Sequence, residues 1–511
     1  MKMEKALEEL ADRRARALEM GGAEKVERHR SRGKLDVRTR IEKLVDPGTF
    51  REVGTLSGSA QYDADGNLVS MSPANFIFGR AKIDGRDVVI AADDFTVRGG
   101  AADASIREKS VQAEKMANHF RIPMIRLIDA TGGSVRTVEA MGRTYVPGSP
   151  AWGPIVSNLE TVPVVSLVLG SVAGIASARA VASHLTVMVK DTSHMFIGGP
   201  PVVARLGIET TKDSLGGYKI HEKSGAVDMV VGTEEDAFAA ARQFLSYLPS
   251  SVGEQLPQLD RCEVAPDQSL RDIVPEDRRK IYKMREIVTR VVDPGSFMEM
   301  APMFGRASIQ GLARVDGRTV AIMASDPRIY GGGWNADTCD KIARFFDFVE
   351  TFRIPVLNFV DCPGFVIGPD AERTGTIRHG ARTMSAIYRS TVPIMAILIR
   401  KVFGVAGAAH MNHEVYRHRI AWPSGDWGSI PLEGGIEAAY AADLEAAEDR
   451  EATLAEIVAR LDALRSPFRT AEAFGVEEII DPADTRENLV EFVHLAYRRN
   501  MIDKPPVRYR P

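Results

Sequence analysis

The strongest constraint on the fold is an internal repeat. Four blocks from the first half of the 511-residue chain return in its second half, in the same order and at nearly constant spacing. Chance similarity does not keep both order and spacing, so these matches indicate that one unit has been duplicated. The blocks are residues 45–52, 79–95, 120–129 and 161–174, which return as residues 292–299, 311–327, 352–361 and 391–404.

Each half has the same predicted order of elements. A hairpin with an Asp-Gly turn is followed by a helix, a buried strand, a glycine-rich turn, a second helix, a second buried strand and a second glycine-rich turn. Unbroken apolar strands that alternate with helices indicate a parallel sheet covered by helices, which is an α/β fold. The predicted helices are residues 105–120 and 336–352, and the predicted strands are residues 81–83, 87–92, 124–129, 162–169, 356–361 and 392–399.

The length of the chain exceeds that of one ordinary core, so we expect two domains. We place them at residues 1–260 and 261–511, joined around a stretch that contains Pro and Asp at residues 249–275. The spacing of the first block indicates an insertion of about 15 residues near residues 61–72, which we predict to be an exposed loop. Residues 438–464 are rich in Ala and Glu and are predicted to form one long surface helix.

The composition excludes several classes of function. With 44% hydrophobic residues, 26% charged residues and a net charge of −4, the chain has no general attraction for nucleic acid or for an anionic membrane. The apolar stretch at residues 162–178 contains Pro163 and is better explained by a buried strand than by a membrane span. The three cysteines, Cys262, Cys339 and Cys362, match neither a zinc cluster nor an even set of disulfides. We therefore expect a cytoplasmic protein without a bound metal.

Glycine follows the predicted strands at four equivalent places. Small residues at a strand end allow a ligand to approach the main chain, where free N–H groups can stabilise a negatively charged oxygen. The alternative is that these glycines only turn the chain and allow helices to pack closely, which is the commoner role of a single such turn. The recurrence of these turns in both halves favours a ligand-binding role over a purely structural one. The turns are residues 129–133, 170–176, 361–365 and 404–409.

Several ordered motifs give the chain a resemblance to a known family. It resembles the carboxyltransferase β subunits of biotin-dependent acyl-CoA carboxylases, such as the propionyl-CoA and methylcrotonyl-CoA carboxylases, over nearly its whole length. The motifs are DFTVRGG at residues 94–100, VKDTS at 189–193, GPPVV at 199–203, LGG at 215–217, His221 with Ser224 and Gly225, DCPGF at 361–365, IRHGA at 377–381 and Arg400 with Lys401.

The resemblance implies a fold, an assembly and partners. Each half is expected to be a crotonase-like domain, and the subunits are expected to form a hexamer in which the N-domain of one faces the C-domain of another. The partners implied are a biotin carboxylase and a biotin carboxyl carrier subunit. Biotin is then a cofactor carried by another chain, and coenzyme A is part of the substrate. ATP-driven carboxylation of biotin falls to another chain, since no Walker A loop is present.

The resemblance also implies which residues act. Carboxybiotin loses its carboxyl group, and the acyl-CoA gives up an α-proton and takes that group. The thioester oxygen and the biotin ureido oxygen each need N–H donors. The matching donors are Gly174 and Ile175 on the acyl-CoA side, and Val405 and Ala406 on the biotin side. The residues expected to contact substrate are Gly132, Gly133, Gly364, Phe365, Gly407 and Ala408.

Four residues depart from the pattern of the family. Ile175 and Val405 stand where glycines are usual, and Gly407 and Ala408 stand where the propionyl type has Tyr and Asp. Because the donors are backbone N–H groups, Ile175 and Val405 can still donate hydrogen bonds to an oxygen. Their branched side chains, however, leave less space for the ligand beside these N–H groups. We therefore expect an acyl group that is bulkier than propionyl or otherwise unusual.

Two alternative functions remain open at this point. The same fold can serve a decarboxylase or transcarboxylase, which moves the carboxyl group from an acyl-CoA onto biotin, and the direction depends on the partner chains. The altered glycine pairs also allow a non-catalytic assembly paralogue. Arg136 and Lys190 are candidates for contacting the CoA phosphates, although solvated or salt-bridged roles are the commoner explanation for such side chains.

Overall fold

The computed structural model describes residues 3–498, which divide into two compact units. The first unit ends at Gln255 and the second begins at Leu256. Each unit contains one large sheet with helices around it, so the predicted α/β duplication is confirmed. The units are described separately below.

The first unit contains eleven α-helices and eleven strands among its described residues. The helices are α1 (Met3–Leu18), α2 (Ala23–Arg30), α3 (Val37–Leu44), α4 (Arg107–Phe120), α5 (Arg136–Met141), α6 (Trp152–Leu159), α7 (Ile175–Val181), α8 (Pro200–Val203), α9 (Lys212–Gly216), α10 (Tyr218–Ser224) and α11 (Glu234–Tyr247). The strands are β1 (Arg51–Val53), β2 (Gly58–Tyr62), β3 (Leu68–Pro73), β4 (Phe76–Ile83), β5 (Arg86–Asp93), β6 (Met124–Ile128), β7 (Val164–Val168), β8 (Ser171–Ala173), β9 (Leu185–Val189), β10 (His194–Phe196) and β11 (Met229–Val231).

The second unit contains ten α-helices and eight strands among its described residues. The helices are α12 (Met284–Val291), α13 (Ala336–Phe352), α14 (Pro369–Arg373), α15 (Thr376–Arg389), α16 (Gly404–Ala408), α17 (Leu432–Ala439), α18 (Ala441–Ala446), α19 (Arg450–Asp462), α20 (Pro467–Glu472) and α21 (Thr485–Arg498). The strands are β12 (Met298–Met300), β13 (Ser308–Val315), β14 (Arg318–Ser325), β15 (Val356–Cys362), β16 (Ile394–Phe403), β17 (His418–Ala421), β18 (Asp426–Gly428) and β19 (Glu478–Ile479).

The two large sheets have equivalent topologies. In the first unit the order is β1-β4-β5-β6-β7-β9-β11, and in the second it is β12-β13-β14-β15-β16-β17-β19. An antiparallel hairpin lies at one side of each sheet, and the strands that follow it pair in parallel. Strands β6, β7 and β15 are buried along their whole length, as their apolar sequences predict. Parallel strands end at the same edge of a sheet, so the glycine-rich turns of each unit lie together.

The predicted hairpin turns are confirmed in both units. Asp84 and Gly85 have φ values of 49° and 79°, and Asp316 and Gly317 have φ values of 52° and 76°. Two successive residues with positive φ give the turn whose twist matches that of antiparallel strands. In the first unit, β4 begins at Phe76 and not at residue 81, whereas β5 covers Arg86–Asp93, close to the predicted residues 87–92.

Two local predictions are wrong. The insertion near residues 61–72 is not a loop but an ordered antiparallel hairpin, β2–β3, which contacts α1. The long helix predicted at residues 438–464 is divided among three helices, which pack around Ile436, Leu444 and Ile457. The breaks fall at Tyr440 and Ala447, which lie outside the α region. Packing of a small local core outweighs the uniform helix propensity of this segment.

The interior of the first unit makes its stability depend on pH. The buried His184 accepts a hydrogen bond from the N–H of Val164 through Nδ1 and donates one to the carbonyl of Leu159 through Nε2, at 3.0 Å each. Burial lowers the pKa of His184 to about 3 from an ordinary value of 6.5. Because the unfolded chain takes up the proton first, stability is lost as the pH falls below about 6.5, at up to about 1.4 kcal/mol per pH unit.

The test is urea unfolding of the wild type and of His184→Gln between neutral pH and about pH 4.5. We expect the variant to be less stable at neutral pH but to lose stability less steeply on acidification. Equal slopes for the two proteins would show that His184 does not contribute to the acid sensitivity.

Candidate active site

A buried ion cluster holds the end of strand β6 in the first unit. Asp129 is fully buried, and its carboxylate lies 3.1 Å from Nη1 of Arg40 and 3.4 Å from Nζ of Lys34. Arg40 also contacts Glu234 at 2.7 Å and donates to the carbonyl of Leu169 at 3.0 Å. A side chain at Gly170 would collide with the Asp129 carboxylate. The cluster therefore joins α3 and α11 to the ends of β6 and β7, where the glycine-rich turns begin.

The turn after β7 and β8 exposes main-chain donors. Gly174 has a φ of 62° and precedes α7, and its N–H donates to the carbonyl of Phe196 at 3.1 Å. The N–H groups of Ile175 and Ala176 lie in the first turn of α7, where no intrahelical acceptor exists. No carbonyl among residues 3–498 accepts from either of them. Of the two donors expected from the sequence, Ile175 is therefore free, and Gly174 already has a partner.

A cavity of about 440 Å³ adjoins this turn in the first unit. Gly132, Gly133, Ile175 and Ala176 all line it, so the structure brings the residues expected after β6 and after β8 to one place. Gly132 has a φ of 79°, and a side chain there would approach the carbonyl oxygen of Ala173 to 2.5 Å. Glycine is thus required at residue 132 both by its conformation and by the close approach of the two turns.

A cationic pocket lies on the other side of the loop that contains Gly99 and Gly100. It has a volume of about 210 Å³, and Gly99 lines it whereas the adjacent Gly100 lines the 440 Å³ cavity. Burial lowers the pKa of its histidine, His29, to about 4, so this side chain is neutral at physiological pH. Its cationic side chains suit phosphate groups. They are Lys25, Arg28, Arg32 and Arg98.

The second unit has a related cluster at the end of β15. The fully buried Asp361 accepts hydrogen bonds from Tyr282 at 2.8 Å, from Nε of Arg400 at 3.1 Å and from the N–H of Lys401 at 3.0 Å. The guanidinium of Arg400 lies 4.8 Å from the centroid of the Tyr282 ring. This carboxylate ties the end of β15 to the last residues of β16, directly before the second glycine-rich turn. Asp361 is the repeat of Asp129, although the neutralising arginines come from different elements.

The turn after β16 repeats the geometry of the first unit. Gly404 has a φ of 62°, as Gly174 does, and it is followed by Val405 and Ala406 in the first turn of α16. No carbonyl among the described residues accepts from the N–H of Val405 or of Ala406. Val405 and Ile175 are 56% and 55% exposed, so an apolar, solvent-accessible residue lies at the free N–H groups of each turn.

The remaining predicted residues of the second unit have mainly packing contacts. Gly407 is buried, and a side chain there would approach the carbonyl carbon of Val402 to 2.9 Å, whereas Ala408 is exposed. Gly364 has a φ of 120° and accepts a hydrogen bond from the N–H of Trp334. The half-buried ring of Phe365 packs on Gly380 and lies 6.1 Å from the ring of Trp334. Glycine at residue 407 therefore allows the turn to pack closely against Val402.

Two groups were missed by the analysis of the sequence. The basic residues of α2 are spaced as on any solvated helix, and only the fold places them beside Arg98. Arg179 and Asp93, which line the 440 Å³ cavity, carry no motif at all. Arg136 and Lys190, the candidates named for CoA phosphates, line neither of these two cavities.

The comparisons with known proteins decide the family. A family model described as the carboxyl transferase domain matches residues 28–510. The chain belongs to the carboxyl transferase family. It is thus a carboxyltransferase of the type found in biotin-dependent acyl-CoA carboxylases, and the fold predicted from the resemblance is confirmed.

Individual relatives match over almost their full length. The chain is 33% identical to the carboxyltransferase subunit of propionyl-CoA carboxylase from Haloferax mediterranei, over 99% of both chains. It is 32% identical to the 12S subunit of methylmalonyl-CoA carboxyltransferase from Propionibacterium freudenreichii, over 96% of this chain and 94% of that one. The crystal structure of a transcarboxylase 12S hexamer with methylmalonyl-CoA bound superposes with a TM-score of 0.88 at 30% identity, over 100% of this chain and 98% of that one.

Two further observations concern metals and membranes. Among residues 3–498, no group of three or more His, Cys, Asp or Glu side chains converges as the ligands of a metal ion would. Within the same range, no helix has both the length and the apolar character needed to span a bilayer.

Proposed function

We propose that the two repeated turns stabilise the two oxygens that become negatively charged during carboxyl transfer. In this proposal the first unit binds the acyl-CoA thioester and the second unit binds biotin. The observation that carries it is the recurrence of one arrangement in both units. Ile175 and Ala176 in one unit, and Val405 and Ala406 in the other, have free N–H groups after a glycine with the same φ of 62°.

The reaction breaks the bond from the α-carbon of the acyl-CoA to its proton and the bond from the biotin nitrogen to the carboxyl group. The carboxyl group becomes bonded to the α-carbon, and the proton ends on the biotin nitrogen. Biotin, when bound, supplies the carboxyl group and the basic nitrogen. The chain itself contributes donors aimed at the thioester oxygen, which gains charge as the α-proton leaves. Fixed backbone dipoles need no reorganisation during this step.

The donor pair of the first unit is Ile175 and Ala176 in this proposal. The expected role of Gly174 changes accordingly. Because its N–H is engaged with the carbonyl of Phe196, Gly174 supplies the positive φ that turns the following N–H groups outward. The pair Ile175 and Ala176 is also the repeat of Val405 and Ala406, so both units use the same two positions.

The two cavities of the first unit accommodate the two ends of an acyl-CoA. The acyl chain enters the 440 Å³ cavity past Gly132, Gly133 and Ile175, and the phosphates of CoA lie in the cationic pocket across the loop of Gly99 and Gly100. A cavity of this size is typical for drug-sized ligands and exceeds what a propionyl group fills. This supports an acyl group larger than propionyl. The substrate contacts of Gly364, Phe365, Gly407 and Ala408 stay predictions.

The assembly is proposed from the relatives. The transcarboxylase 12S protein is a hexamer. We propose the same for this chain, together with a biotin carboxylase and a biotin carrier subunit as partners. The reverse reaction is the second candidate, because a methylmalonyl-CoA decarboxylase subunit from Veillonella parvula is 30% identical over 96% of this chain.

The experiment that tests this proposal is a substrate panel. The chain is purified together with the proteins that bind it, and ATP- and bicarbonate-dependent carboxylation is measured with propionyl-CoA, with longer and branched acyl-CoAs, and with the matching N-acetylcysteamine thioesters, which lack the CoA phosphates. We expect turnover of a larger acyl-CoA to exceed that of propionyl-CoA, and the phosphate-free thioesters to be poor substrates.

Each outcome bears on one part of the proposal. Fast carboxylation of propionyl-CoA with poor turnover of larger acyl groups would contradict the larger acyl pocket. Equal turnover of the phosphate-free thioesters would contradict the role of the cationic pocket. Carboxyl transfer only from a carboxylated acyl-CoA to biotin, in the presence of the native partners, would establish the reverse direction.

A further inference from the structure

The 440 Å³ cavity of the first unit has a charged end. Arg179 lies one turn after Ile175 on α7, and its Nη2 contacts the carboxylate of Asp93 at 2.6 Å. The guanidinium also lies 5.5 Å from the centroid of the Phe76 ring. All four of these residues line the cavity. An acyl chain that starts at the free N–H groups of α7 therefore extends toward an arginine.

A second ion pair lies beside the first. Glu114, which also lines the cavity, is bonded through both carboxylate oxygens to the buried Arg126, at 2.8 and 2.9 Å. One of these oxygens also accepts from the side-chain amide of Asn158 at 2.8 Å. Since each arginine is matched by one carboxylate, this end of the cavity is polar but carries no net charge.

Arg179 uses only part of its hydrogen-bonding capacity. Its Nη2 is engaged with Asp93, whereas its Nε is buried with no acceptor among the described residues. No acceptor within residues 3–498 is bonded to Nη1, and the side chain, which lines the cavity, retains 15% exposure. Donors left without a partner in a largely buried position are costly, and a ligand oxygen would satisfy them.

The duplicated unit shows that the fold does not need this charged end. By the spacing of the repeat, Asp93, Glu114 and Arg179 correspond to Ser325, Phe346 and Ala409 in the second unit. The hairpin registers agree, since Asp93 pairs with Phe76 and Ser325 pairs with Ser308 at the same end. The same topology thus forms without the ion pairs. Their presence in the acyl-CoA unit alone points to a role in recognition.

We propose that the acyl-CoA substrate is longer than propionyl-CoA and carries an uncharged oxygen, a keto or hydroxyl group, that accepts a hydrogen bond from Arg179. This inference rests on the proposed binding of acyl-CoA to the first unit. Ile175 and Arg179 are separated by about 6 Å along the helix, which places the second oxygen several carbons from the thioester. An uncharged group fits better than a carboxylate, because a further negative charge would lie beside Asp93 and Glu114, whose arginine partners are already paired with them.

The test is a binding measurement with the full chain and two CoA thioesters of equal length, hexanoyl-CoA and 5-oxohexanoyl-CoA. The wild type is expected to bind the oxo compound about tenfold more tightly, which is the usual effect of one hydrogen bond to a charged group. Arg179→Met should remove this preference while keeping the affinity for hexanoyl-CoA. The double variant Asp93→Asn with Arg179→Met avoids an unpaired buried carboxylate and should behave in the same way if the single variant fails to fold.

The outcomes separate this inference from the proposed function. Equal affinity of the wild type for the two thioesters would overturn the role of Arg179 but leave acyl-CoA binding intact. Failure to bind either thioester would overturn the proposed function itself. Persistence of the preference in the folded double variant would also overturn the inference, because another group would then bind the oxygen.

Discussion

Replacing Ile175 with proline is expected to reduce the kcat of carboxyl transfer by about 100- to 1,000-fold, the usual cost of losing one oxyanion donor. Proline removes the N–H of residue 175 and is tolerated at the first position of a helix, which Ile175 occupies. The donor acts on charge that develops in the transition state, so the KM for the acyl-CoA should change little. The measurement is steady-state transfer from a carboxylated acyl-CoA to free biotin.

The matched control is Ile175→Ala, which keeps the N–H and removes only the exposed side chain. This variant should retain kcat within a few-fold of the wild type, with any change confined to preference among acyl groups. If alanine and proline reduced kcat equally, the side chain of Ile175 and not its N–H would be responsible. Thermal unfolding of both variants shows whether the fold is kept.

Replacing Arg40 with methionine is expected to destabilise the first unit by about 3–5 kcal/mol, the usual cost of breaking a buried ion pair. The substitution leaves the carboxylates of Asp129 and Glu234 in the interior, where Lys34 and the largely neutral His29 still lie beside Asp129. The measurement is urea unfolding at neutral pH, and a protein that fails to accumulate in soluble form would agree with the same expectation.

The control lies on the same helix. Lys43, also on α3, makes an ion pair with Glu235 at 2.8 Å, but both side chains are about half exposed. Exposed pairs contribute about 0–1 kcal/mol, so Lys43→Met should change stability by no more than that. Equal effects of the two substitutions would mean that the Asp129 cluster does not hold the strand ends.

The repeat made much of the fold predictable. Asp-Gly turns and apolar strands are local signals, and each occurs twice, so the hairpins at Asp84 and Asp316 and the parallel strands follow from the sequence. Helix α13 begins and ends where it was predicted, at Ala336 and Phe352. No counterpart of the β2–β3 hairpin occurs among residues 256–498, so the repeat gave no indication that the insertion near residues 61–72 forms strands.

The arrangement of the candidate site could be predicted only in part. Gly132 and Ile175 were expected near one another because they follow parallel strands, and they line one cavity. The engagement of the Gly174 N–H by Phe196 depends on the pairing of two three-residue strands, β8 and β10, which are too short to recognise in a sequence. The positions of Arg179 and Asp93 depend on packing between separate elements, and no spacing along the chain reveals it.

The most direct test of the account is the transfer of a radiolabelled carboxyl group from a carboxylated acyl-CoA to free biotin by the purified chain. We compare the wild type with Ile175→Pro, with Val405→Pro and with the double variant. We predict transfer by the wild type and a large loss in each single variant, because the turn of each unit serves a different oxygen. Transfer by the wild type at a rate no higher than that of the double variant would contradict it.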